Sequence, residues 1–242
     1  MKLVFSRKGF DSAAGKAPSP IVGGRPISMP IPATRSSRTT YQDLGLGDVV
    51  ERITSRAIDR NHLCHHDPMF VGERCIFGQC DTAQSHLDNQ SVGVGDVFLF
   101  FGLFTDETTS ERHHRIFGYL RVETKQLVAD LSEAERSELE ARRHPHVLGN
   151  SSANNTLYCG EGAAARSAHA ELRLTMEGGQ PSEWKVPSWL RSRGLTYHCK
   201  PRRWRDGDVL ETVGRGQEFV TDPGDDPGAH EWIERMIGLV RQ

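Results

Sequence analysis

No Cys-x-x-Cys pair occurs in the 242-residue sequence. The five cysteines, Cys64, Cys75, Cys80, Cys159 and Cys199, are odd in number, which argues against a disulfide framework and against a zinc ribbon. A run of ~18 apolar residues is also missing, so no segment reads as a membrane-spanning helix. The N-terminal Leu3-Val4-Phe5 turns polar at Ser6-Arg7-Lys8, too short an apolar stretch for a secretory signal, and a reduced, cytoplasmic setting is expected. Net charge is nearly absent. At −2 overall, the chain has no bulk attraction for nucleic-acid phosphates, and any such contact requires a local patch. There is no Walker spacing, no internal repeat and no terminal block of like charge.

What the sequence does have is enough apolar side chain for a core. Hydrophobic residues make up 36% of the chain and are spread along it, which argues against wholesale disorder. Leu3–Phe5 reads as a short buried strand. The Gly-, Ser- and Pro-rich stretch from Lys8 to Thr40 is punctuated by Phe10, Ile21, Ile27 and Ile31, which predicts an ordered loop rather than a linker. Val49, Val50, Ile53 and Ala57 predict an amphipathic helix over 47–59, and residues 61–90 read as irregular and polar. Val97–Phe104 is the strongest apolar run and predicts a central strand. Arg115–Glu123 is its expected antiparallel partner, across a hairpin loop at 105–114. Ser132-x-x-Glu135 predicts a capping box opening an exposed helix to Arg143. Glu171–Thr175 reads as a further strand. Trp232, Ile233, Met236, Ile237 and Val240 predict a helix, entered through Pro227, that packs on the sheet. The expected architecture is a single α+β domain over 1–242, with a mixed or antiparallel central sheet, few helices and long ordered loops.

Four segments carry chemistry. In Ser6-x-Lys8-Gly9-Phe10-Asp11-Ser12, a lysine and hydroxyls on a glycine-containing loop suit an anion, although the same residues also make an ordinary turn whose Asp and Ser cap backbone amides. His62-Leu63-Cys64-His65-His66-Asp67 holds three His, one Cys and one Asp in six residues, the donor types of zinc and iron. Neighbours in sequence seldom all reach one ion. One or two of these joined by distant ligands is one expectation, and a solvated polar loop is the other. Gln79 and the segment 83–90, with Gln84, His86 and Asp88, precede the buried strand. They suit a pocket floor that reads an amide or base edge, or else they satisfy loop backbone groups. Arg191–Arg205 carries six basic residues and no acid, with Tyr197 and Trp204 interleaved. This composition fits a phosphate backbone and stacked bases, or a solvated basic face balanced by Asp222, Asp225 and Asp226. Of the eleven histidines, which include His113, His114, His144, His146 and His198, three or four are expected to converge.

Together the segments resemble a known family. Lys8-Gly9-Phe10-Asp11-Ser12, Pro18-Ser19-Pro20-Ile21, Phe77-Gly78-Gln79, Ala83–Asn89, Gly95–Gly102, His114–Leu120, His144-Pro145-His146-Val147, Asn154–Tyr158 and Arg215–Phe219 are similar, in order and spacing, to the nucleotide modification associated domain, type 3. The likeness runs over nearly the whole chain. It implies a place in nucleotide or DNA-base modification, and it marks Lys8, Asp11, His86, His114, His146, Asn155, Arg215 and Glu218 as motif positions. Cys159–His169 departs from the pattern, and His62, Cys64 and His65 lie outside it.

The reading that follows is a metal-dependent enzyme acting on a nucleotide-like or small polar substrate. His86, His114 and His146, with Asp67 or Asp11, would hold a divalent ion, iron or zinc. Asp11 and Glu218 are the candidate catalytic acids, with Glu218 as proton carrier. Lys8, Ser12, Gln84, Asn155 and Arg215 would bind substrate, Lys8 and Arg215 by its anionic group. One alternative is a non-catalytic binding module that holds nucleic acid or a modified base through Arg202, Arg203 and Trp204. Another is a metal-free transferase or hydrolase working by general acid–base chemistry.

Overall fold

Alternation along residues 3–7 sets the frame of the molecule. In strand β1 (Leu3–Arg7), Leu3 and Phe5 join one apolar cluster and Val4 joins another, because successive side chains point to opposite faces of a sheet. The computed structural model describes residues 1–33, 37–149, 152–214, 216 and 218–242. Its main sheet has nine strands. After β1 come β2 (Ser19–Val22) and β3 (Arg25–Pro26), then β4 (Met69–Val71) and β5 (Arg74–Gln79). The long hairpin β6 (Val97–Asp106) and β7 (Arg112–Leu127) follows, then β8 (Thr156–Ala164) and β9 (Glu218–Thr221). The order across the sheet is β9-β1-β6-β7-β8-β5-β4, with β2 beside the far end of β6 and β3 beside β2. β6 runs parallel to both β1 and β2, and the remaining pairings are antiparallel. The sheet is therefore mixed and the class is α+β with few helices, in agreement with the sequence.

The two faces have different covers. Phe5, Leu99, Phe101 and Phe219 meet Trp184, Leu190 and the apolar stripe of a C-terminal helix (Pro227–Arg241) on one side. On the other, Phe77, Phe98, Phe100 and Tyr158 stack with Leu87 from a helix over Asp81–Asn89. The C-terminal helix starts where expected: the Asp226 side chain accepts from the Ala229 amide and Pro227 stands in its first turn. The Ser132–Glu135 capping box forms and opens a helix over Glu133–Ala141.

Three expectations are corrected. The helix predicted over 47–59 spans Gly47–Ile53. Thr54 turns its hydroxyl back to the Val50 carbonyl at 2.6 Å, and Ser55 and Arg56 take left-handed φ values of 51° and 63°. Residues 61–90, expected to be irregular, form the β4–β5 hairpin and the 81–89 helix. Glu171–Thr175 contributes a single turn of tight helix (Ala170–Leu172) and isolated bridges rather than a strand. Among the described residues, no helix is long and apolar enough to cross a membrane.

Candidate functional site

Three strand ends meet at one end of the sheet. β1 delivers Lys8, β5 delivers Phe77-Gly78-Gln79, and β9 opens with Glu218. The segment before β4 adds His65, from a two-residue strand paired with Ile31, and Asp67; the turn after the 133–141 helix adds His146, and the 81–89 helix adds His86. They surround a polar cleft of ≈ 660 Å³ lined by Lys8, Asp11, His65, Asp67, Gln79, His86, His146, Tyr197 and Glu218, among others.

Lys8 leaves β1 with its amide bonded to the Phe101 carbonyl at 2.8 Å. A Cβ on Gly102 would sit 2.7 Å from the Lys8 carbonyl, so the glycine permits this approach. Lys8 Nζ lies 2.9 Å from Glu218 Oε1 and 4.4 Å above the Phe77 ring. Gln79 Nε2 donates to the same Glu218 oxygen at 2.7 Å. Glu218 is 1% exposed, and its second oxygen, Oε2, has no hydrogen-bond partner among the described residues.

The second group centres on Asp67. Its Oδ1 accepts from the Gly78 amide at 3.0 Å. Gly78 faces the His146 ring so closely that a Cβ would lie 2.3 Å from His146 Cγ. Asn155 fixes that ring. Its Nδ2 donates to the His146 carbonyl at 2.7 Å, which turns Oδ1 toward His146 Nδ1, 2.6 Å away. Oδ1 can only accept, so Nδ1 carries the imidazole proton and Nε2 is bare. That bare nitrogen stands 3.8 Å from Asp67 Oδ2, as does His65 Nε2. One ligand atom from each of His65, Asp67 and His146 lies within 4.8 Å of the others. His144 stands behind: its Nδ1 accepts from the His146 amide at 3.4 Å, so its proton is on Nε2, 3.5 Å from Asp67 Oδ1. That contact is too long and oblique for a full hydrogen bond.

Electrostatics agree with the geometry. Burial works to raise the Asp67 carboxyl, but the His144 contact and the surrounding imidazoles outweigh it and hold the group below the usual carboxylate range. Burial pushes His65 down to about 4, against the pull of Asp67. It lowers His146 too, against Asp67 and Asn155. Near neutral pH the group is therefore two neutral imidazoles and one carboxylate, with the bare Nε2 of His146 facing Asp67 and His65 Nε2 3.8 Å from the same carboxylate oxygen. Such a set could hold a divalent cation. Two histidines and a carboxylate with open positions suit ferrous iron, and three protein ligands plus water suit catalytic zinc.

The candidate residues divide accordingly. His146 and Asp67 meet. His86 lines the same cleft outside that group, its ring 4.7 Å from Tyr197 and its Nε2 3.2 Å from the Thr196 hydroxyl. His114 lies elsewhere, in an adjoining cavity of ≈ 390 Å³, where its Nδ1 accepts from the Trp184 indole at 3.0 Å. Asp11 lines the cleft, but its Oδ1 accepts from the Ala13 and Ala14 amides, each at 2.7 Å, as in a capped turn. Ser12 lines the adjoining cavity. Gln84 is fully buried against Tyr158 and Asp88 and does not line either cavity. Arg215 lies outside the described residues.

Two of the six basic residues in the stretch pair with acids, and with different acids from those expected, while Arg191, Arg193, Lys200 and Arg202 are exposed with no ion pair among the described residues. Arg205 pairs with Glu183 and Glu211, and Arg203 with Glu211 at 3.6 Å. The Trp204 indole donates to the His198 carbonyl at 2.8 Å, while Arg202 remains exposed. His65 is the residue of the His65–Asp67–His146 group that sequence reading left outside its candidate ligands. The available signal was the His65-x-Asp67 spacing, since residues two apart in an extended segment point the same way.

A family model described as nucleotide modification associated domain 3 matches residues 2–222. No curated protein and no solved structure matches the chain.

Proposed function

The chain belongs to the nucleotide modification associated domain 3 family, and from that premise we propose that it is a metal-dependent enzyme modifying a nucleotide or DNA base in the 660 Å³ cleft. The observation that supports this reading is the bare Nε2 of His146, turned by Asn155 toward the Asp67 carboxylate and His65. His65, Asp67 and His146 would hold iron or zinc. Bound there, the ion would supply a Lewis acid that polarises the substrate or activates water or oxygen.

The remaining roles belong to the chain's own groups. Gly78 leaves room for the His146 ring and ties down Asp67 through its amide. Lys8 and Gln79 hold Glu218 through Oε1, and Oε2, buried and without a hydrogen-bond partner among the described residues, is the oxygen that would take or give a proton. Lys8 is then a partner of Glu218 rather than a free cation for substrate.

Elemental analysis of purified protein tests the reading. Stoichiometric iron or zinc is expected, lost on Asp67→Asn with the fold retained. Metal content far below one ion per chain after reconstitution, together with a melting temperature indifferent to chelator, would overturn it. Activity that survives exhaustive chelation would favour the metal-free acid–base alternative through Glu218.

A further inference from the structure

Lys8 is paired with Glu218, whereas its neighbour Arg7 has no carboxylate partner among the described residues. Arg7 lines both the main cleft and the adjoining 390 Å³ cavity, and the two cavities also share Lys8, Asp11 and Gly214. Among the described residues, no ion pair ties Arg7 to a carboxylate. The guanidinium is held in place by neutral groups. NH1 donates to the Gly214 carbonyl at 2.9 Å, NH2 to the Val213 carbonyl at 3.0 Å, and Cζ stands 5.6 and 5.7 Å from the Phe101 and Phe219 ring centres. Two carbonyls use two of its five N–H groups, and Nε has no partner. Asp11 acts on Arg7 at longer range, with one oxygen occupied by its own turn. A fixed, partly buried guanidinium with no carboxylate in direct contact suits an anion.

The adjoining cavity is suited to that anion. Besides Arg7 it is lined by Ser12, Gln180 and Ser182, polar residues of the kind that complete a phosphate site, and by Thr212, whose hydroxyl donates to the Ser182 carbonyl at 3.1 Å. His114, in the same wall, is occupied by Trp184.

We propose that Arg7 binds a phosphate in the adjoining cavity while the base occupies the main cleft beside His65, Asp67 and His146. The substrate class is then a phosphorylated nucleotide, free or within a strand, and not a base or nucleoside. This inference rests on the reading of the main cleft as a nucleotide-modifying site and deepens it.

The test is calorimetry at low salt with the four deoxynucleoside 5′-monophosphates, the matching nucleosides and a short single-stranded oligonucleotide, on wild-type protein and Arg7→Met. Elemental analysis runs in parallel. At least one monophosphate or the oligonucleotide is expected to bind tenfold or more tightly than the matching nucleoside. The difference should vanish in Arg7→Met while metal content stays unchanged. Stronger binding of the oligonucleotide than of every monophosphate assigns the phosphate to a strand, and the reverse assigns it to a free nucleotide. If Arg7→Met fails to fold, inorganic phosphate should displace the monophosphate, but not the nucleoside, from wild-type protein. Equal affinity for nucleoside and monophosphate, no binding of either, or a phosphate preference intact in a folded Arg7→Met protein would overturn the proposal. Loss of metal alone would count against the metal reading and leave this one standing.

Discussion

The contact that decides the chemistry of the cleft is a single amide. Asn155 sets the His146 tautomer with two short hydrogen bonds, so its removal should act on the proposed metal site more than on the fold. Asn155→Ala is expected to weaken iron or zinc binding by about 10–100-fold, measured by competition with a chromophoric chelator, with a much smaller change in melting temperature. Gly78 gives a complementary prediction. A methyl group there must move the His146 ring, so Gly78→Ala should lose metal and cost roughly 1–3 kcal/mol of stability in denaturant titration. Retention of full metal affinity in Gly78→Ala would refute the placement of that ring. Little of this was legible in the sequence. His146, Asp67 and Asn155 could be singled out by type, but not which of the histidines would meet. His114 has the same side chain and the same strand-end setting, and it is occupied by Trp184. His86 has the right cleft and a different neighbour. Side-chain direction decides these cases, and direction depends on tertiary packing.

The elements were easier to read wherever one periodicity prevailed. Val97–Phe104 alternates between two buried faces, and both faces are core, so its uniform apolarity signalled the centre of the sheet. The tail helix announced itself through a one-sided stripe. Its Ile233 and Ile237 are buried against the sheet. Ile237→Ala should cost about 2–5 kcal/mol by chemical denaturation, and Ser132→Ala, which removes an exposed cap, about 1 kcal/mol. The 81–89 helix is hard to read because its sequence is polar, and the β4–β5 hairpin because its apolar strands, Met69-Phe70-Val71 and Cys75-Ile76-Phe77, are short and set within a polar stretch. Gln84, Asp88 and Ser85 face partners rather than a core, and a nine-residue helix with such a face carries little apolar rhythm. These are the elements that carry the cleft, so the least legible part of the fold coincides with the candidate site.

At the scale of the molecule, the buried histidines make stability depend on acidity. Burial lowers His113 and His198 to about 4 and His114 to about 3, below the ordinary value near 6.5. Between those limits the unfolded chain binds more protons than the folded one, so stability is full above pH 6.5 and falls as pH drops toward 4. The loss is at most about 1.4 kcal/mol per pH unit for each such histidine. Denaturant midpoints taken from pH 7.5 to 4.5 should decline below 6.5 in metal-free protein, and a flat profile would show that these imidazoles are not buried neutral.

Strand β1 has one further consequence. It lies between residues 97–101 on one side and 218–221 on the other, and Lys8 at its end meets a carboxylate 210 positions away. On a ribosome, the first strand would emerge long before its outer neighbour exists. The Lys8–Glu218 corner would be completed only after residue 221 has cleared the exit tunnel, so until then the nascent chain would carry a half-made cavity and an unpaired edge on β1.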